Sequence, residues 1–80
     1  MTEEERSIID SIDSSMAQLF EQRMAAVARI AAKKKAAGLA VEDLRREEAM
    51  LSRRCAEIGD EGLRQYYSDF LKSVIRISKD

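Results

Sequence analysis

The sequence predicts an all-α protein of three helices, one long and two shorter, and three observations carry that expectation. The chain has three glycines and no proline and is rich in Ala, Glu, Arg, Lys, Leu and Ile, a composition suited to long helices. Its apolar residues recur at alternating steps of three and four, the spacing of a helix-packing face. Break signals fall at Ala37-Gly38 and at Gly59-Asp60, and these divide the chain into three segments.

The first helix should start at Thr2, because Thr2-x-x-Glu5 reads as a capping box with acidic residues in the first turn. Nothing interrupts it before Ala37-Gly38, so it spans about 35 residues, or roughly 50 Å. Its seam follows Ile9, Ile12, Met16, Leu19, then position 23, then Ala26 and Ile30. Lys33, Lys34 and Lys35 sit favourably at its C-terminal end. A loop from Ala36 to Glu42 leads to a second helix that starts near Asp43, as N-cap, and runs to about Ile58, with Leu44, Leu51, Cys55 and Ile58 as its stripe. Gly59 should stop that helix and Asp60 should cap the third, which carries Leu63, Tyr66, Tyr67, Phe70, Leu71, Val74 and Ile75 on one face.

Eighty residues make one domain, residues 1–80, near the size below which a single core rarely suffices without a staple. One cysteine, Cys55, excludes an intrachain disulfide, and without histidine the common zinc patterns are absent. Assembly with another copy, or with a larger protein, is the remaining route to stability. Fourteen basic against fifteen acidic residues leave a net charge of -1, which offers no excess to drive nucleic-acid binding. The longest uncharged run is too short to span a bilayer, and the start TEEER is unlike a secretion signal, so a soluble cytoplasmic protein is expected.

Some charges fall where apolar side chains belong. At about 100° per residue, Arg23 lies in the seam of the first helix, and Lys34, eleven residues on, returns to nearly the same face. On the second helix Glu47 projects on the side of Leu51 and Ile58. Burying unpaired charge costs several kcal/mol (roughly), so these groups pair with each other, stay wet, or bind a ligand. Snorkelling cations and a structural Arg23–Glu47 pair satisfy the same pattern. Glu48, Arg45, Arg53, Arg54 and Lys72 read as solvated surface, Cys55 as a core residue, and Tyr66 and Tyr67 as packing residues. Arg6 stands about 25 Å from Arg23 along the helix, and an antiparallel pairing of two first helices would bring it toward the Arg23 region of the other copy.

The order Arg6-x-x-Ile9-Asp10-x-Ile12-Asp13, Leu19-x-x-x-Arg23, Lys34, Val41-x-Asp43-x-x-Arg46-Glu47 resembles the all-helical class of chorismate mutases. The spacing matches without a gap from Arg6 to Glu47 and continues more loosely through the third helix to Ser78. The resemblance implies an intertwined homodimer of three-helix chains that converts chorismate to prephenate, at the branch leading to phenylalanine and tyrosine, with no cofactor and no metal. It implies that Arg23, and Arg6 of the other copy, bind the two substrate carboxylates. Lys34 would donate to the ether oxygen and a carboxylate, Asp43 and Glu47 would hold the ring hydroxyl, Arg46 would support the site, and Ser78 would be among the substrate-binding residues.

That chemistry suits a chain without histidine. A pericyclic rearrangement needs no nucleophile or general base. It needs the compact diaxial conformer selected, a proximity effect, and the charge on the breaking C–O bond stabilised by fixed donors. The family also carries a glutamine or glutamate late in its last helix. Aligned on Ser78, that residue falls beyond Asp80, and no glutamine follows Gln65. That departure admits a weakly active regulatory or interaction module, and the related folds admit isochorismate pyruvate lyase or aminodeoxychorismate mutase activity, a choice the helix 1–2 loop and late third helix would govern. A plain coiled-coil segment is disfavoured, because such a seam would hardly keep both Arg23 and Glu47.

Overall fold

The computed structural model describes residues 2–40 and 42–79, and within them the chain is all-helical with no strand. Val41, part of the motif above, lies outside the described residues. Three helices follow in order: α1, Glu3–Ala36; α2, Leu44–Ala56; and α3, Arg64–Lys79, which a short 3-10 turn, Glu61–Leu63, precedes. The chain divides into two compact units, the first ending at Ala37 and the second beginning at Gly38.

The first unit is α1, a helix of 34 residues. Thr2 caps it as expected: its hydroxyl accepts from the Glu5 N–H at 3.3 Å, while its own N–H donates to the Glu5 carboxylate at 3.1 Å. Glu3, Glu4 and Glu5 in the first turn and Lys33, Lys34 and Lys35 in the last complement the helix dipole at both ends. Ala37 closes the helix through its N–H to the Lys33 carbonyl, and Gly38 follows at φ 72, a left-handed conformation that favours glycine. The seam residues of its first two-thirds are open to solvent in the single chain, Ile9 and Met16 by more than two-fifths and Ile12 and Leu19 by more than half. Half-buried positions begin only at Arg23 and continue through Met24, Ala26, Val27, Ala31 and Lys34.

The second unit is the α2–α3 hairpin, whose helices pack on each other. Asp43 is the N-cap of α2, its Oδ1 accepting from the Arg46 N–H at 3.1 Å. The helix ends at Ala56 rather than at Ile58, and not by a left-handed Gly59. It tightens instead, the N–H groups of Glu57 and Ile58 turning to the carbonyls of Arg54 and Cys55, each at 3.1 Å. Asp60 caps as expected, accepting from the Gly62 N–H at 2.8 Å, but what it opens is the 3-10 turn that leads into α3.

The apolar face expected on the third helix divides in two. Leu71 is buried, and Tyr67, Val74 and Ile75 are half-buried, whereas Tyr66 and Phe70 are exposed, as is Leu63, which lies in the 3-10 turn and not on α3 as expected. Measured around the axis from Tyr66, the exposed residues of α3 cover about 0–40° and the covered group about 80–180°. A stripe that wide exceeds what one neighbouring helix covers. Tyr67 packs on Phe70 with ring centroids 5.8 Å apart. Arg54, expected on the solvated surface, is partly covered, with Nη2 3.2 Å from Glu57 Oε1 and Nε enclosed without a hydrogen-bond partner.

Candidate functional site

Each of the sequence-selected residues is set by the local geometry of its own element. On α1, Arg23 and Lys34 point to one face, separated by about 20° after three turns, and both are half-buried. Lys33 and Lys35 beside Lys34, and Arg29 between the two, remain exposed. Position on the helix, and not residue type, therefore separates the covered cations from the solvated ones. Arg6 is exposed in the first turns of the same helix.

On the second unit, Glu47 is likewise set apart from its neighbours. Its side chain retains 26% exposure, while Arg46 and Glu48 are exposed. Asp43 and Arg46 are joined through the helix cap, which holds the Asp43 carboxylate at the N-terminus of α2, one turn before Glu47. Ser78 is half-buried and donates its hydroxyl to the Val74 carbonyl at 2.7 Å.

The structure adds a residue that the sequence reading did not single out. Lys79, in the last turn of α3, places Nζ 3.0 Å from Glu47 Oε2 and 3.1 Å from Glu42 Oε1. The hydrogen bond to Glu47, then that to Glu42, raises the Lys79 ammonium above its ordinary pKa of 10.5. A signal was present in the sequence: Lys79 lies four residues after Ile75 and so shares its side of the helix.

Glu47 and Lys79 line an open groove of about 310 Å³ along the hairpin, whose apolar walls are Leu44, Leu51 and Ile75. The volume is at the lower end of small-molecule sites. The groove continues past Glu48, Leu51 and Lys72 into a shallower one of about 510 Å³ that reaches Cys55, Arg64 and Gln65. Glu48 and Lys72, read from sequence as plain surface, thus form its rim. Among the described residues no group of His, Cys, Asp or Glu is arranged to hold a metal ion, and no helix is long and apolar enough to cross a membrane.

Each unit by itself offers charge for binding: the first presents two half-buried cations on one helix face, and the second a carboxylate held by an ammonium group beside an apolar groove wall. No curated protein and no solved structure matches the chain. The family model described as chorismate mutase type II matches residues 5–80, nearly the whole sequence. The chain belongs to the type II chorismate mutase family.

Proposed function

We propose that the protein is a chorismate mutase, an isomerase that carries out the intramolecular Claisen rearrangement of chorismate to prephenate. The family match over residues 5–80 carries this reading. The selective covering of Arg23, Lys34 and Glu47, against the exposure of Arg29, Lys33, Lys35 and Glu48, supports it.

In this reading residues 1–80 act as one catalytic domain, and two copies form an intertwined homodimer. The solvent-open apolar run of α1, from Ile8 to Phe20, supports the dimer, since a monomer gains nothing by leaving that seam wet. Arg23, and Arg6 from the partner copy, bind the two carboxylates through bidentate geometry. Lys34 donates to the ether oxygen as the C–O bond breaks, where negative charge develops. Asp43 and Glu47 accept from the ring hydroxyl. Arg46 and Ser78 complete the binding set, Arg46 from the first turn of α2 and Ser78 from the end of α3. Holding both ends of the substrate selects the diaxial conformer and brings the bond-forming carbons together. The reaction is unimolecular and moves no proton, so nothing in the set must titrate.

The test is an assay of purified protein with chorismate, following its disappearance and identifying prephenate as the product. Inertness toward chorismate together with pyruvate release from isochorismate would overturn the assignment in favour of a lyase.

A further inference from the structure

We propose that Lys79 is a positioning residue for this reaction: its ammonium group, held between Glu42 and Glu47, fixes the Glu47 carboxylate in the orientation that accepts the substrate's ring hydroxyl. The inference rests on the function proposed above and adds a residue that acts on the substrate only through Glu47.

The geometry is specific. Lys79 meets Glu47 through Oε2 at 3.0 Å, and Glu42 through Oε1 at 3.1 Å. Glu42 stands next to Asp43, whose cap anchors the first turn of α2, and Glu47 follows one turn later. One ammonium group with three donors therefore ties the last turn of α3 to both carboxylates that flank the cap. An isolated glutamate turns about three side-chain bonds, and ordering it at the moment of binding costs conformational entropy. A glutamate already held by a neighbour has lost that freedom before substrate arrives, which is preorganisation.

Magnitudes separate this role from a structural one. The Lys79 side chain retains 36% exposure, Glu42 56% and Glu47 26%, so solvent reaches the shared ammonium group and screens the Glu42 pair most, and the contribution of the two pairs to folding is modest. A carboxylate that must accept from one particular hydroxyl is far more sensitive to a misplacement of about 1 Å than the fold is. Lys79 and Glu47 both line the groove whose wall is Leu44, Leu51 and Ile75. By contrast the Arg54–Glu57 and Arg64–Glu61 pairs join near neighbours in sequence, at 3.2 and 3.9 Å, and orient none of the proposed substrate-binding residues.

The experiment compares wild type, Lys79→Met, Lys79→Arg, Glu47→Gln and the double variant Lys79→Met/Glu47→Gln, each assayed with chorismate and checked by circular dichroism. Lys79→Met is expected to lower kcat/KM by about tenfold, mainly through KM, the size of one charge-assisted hydrogen bond. Lys79→Arg should recover most of the loss. In the Glu47→Gln background the same change should cost less than about twofold, because the residue through which it acts is already disabled. Lys79→Met activity near that of an active wild type would overturn the inference, as would an undiminished loss in the Glu47→Gln background, absence of recovery with arginine, or collapse of helicity. A wild type inert toward chorismate would instead refute the function itself, a result visible before any variant is made.

Discussion

Arg64 donates its Nε–H to the carbonyl of Ile58 at 2.8 Å, so the first residue of α3 closes the corner left by the early end of α2. The carbonyl lies just past the two tightened turns at Glu57 and Ile58, where the backbone has run out of helical donors. Replacing Arg64 with Ala should destabilise the hairpin by about 1 kcal/mol, the net worth of a partly exposed hydrogen bond from a charged donor. Urea unfolding followed by circular dichroism measures it, and an unchanged midpoint would show the corner holds without that bond.

Leu71 is the buried side chain of the described chain, at 6% exposure, with the rest of the apolar residues only partly covered. Leu71→Ala should therefore cost about 2–3 kcal/mol, toward the low end for a core leucine because the surroundings can relax. Leu63→Ala, at a position 52% exposed in the same unit, should cost much less. Equal losses at both positions would mean that Leu63 is covered by something the single chain does not supply.

The seam of α1 gives a test of assembly. Ile12→Ser together with Leu19→Ser removes two residues that are 52% and 61% exposed in the single chain, so a monomer should hardly register the change. If two first helices pair, the double variant should lose its dimer, as sedimentation or light scattering would report, and lose helicity on dilution. A protein that is monomeric before the change would refute the pairing.

Arg23→Ala should remove turnover while leaving helicity and dimerisation intact, with a loss on the order of a hundred- to a thousand-fold in kcat/KM. Arg23→Lys should not restore it, because an ammonium group cannot copy bidentate binding of a carboxylate. Mixed with Arg6→Ala chains after confirmed subunit exchange, it should regain up to one working site per heterodimer. Without recovery, Arg6 does not act across copies.

Asp43 has two possible duties that substitution can separate. Asp43→Ala loses the cap and should cost about 1 kcal/mol of stability, whereas Asp43→Ser keeps a side-chain acceptor for the Arg46 N–H and should cost little. Activity should fall in both variants if the carboxylate meets the substrate. Full activity in Asp43→Ser would reduce Asp43 to a cap.

Alkaline pH tests Lys79 independently of catalysis. Its folded-state pKa is raised above 10.5 by the bonds to Glu47 and Glu42, so the stability it contributes is complete below 10.5 and is lost as pH climbs through the raised value. The informative quantity is the difference between wild type and Lys79→Met. The gap in urea midpoint should be present at pH 9 and close at still higher pH. A gap that persists unchanged would show that the ion pairs contribute nothing.

The sequence by itself determined the three helices, their caps and the odd charges. Thr2 with Glu5, Asp43 and Asp60 act within two or three residues of themselves, and Arg23, Lys34 and Glu47 share faces set by a fixed turn per residue. Such relations need no knowledge of what lies across a gap. The tertiary structure decided the rest. The bond from Arg64 back to Ile58 joins α3 to the end of α2, the division of the α3 stripe depends on what packs against it, and the meeting of Lys79 with Glu42 spans 37 positions. Helix periodicity tells which residues look the same way, but not which side chain another element will bring to them. For that reason Glu47 could be read as a carboxylate in need of a partner, while the partner itself, Lys79, emerged only from the folded hairpin.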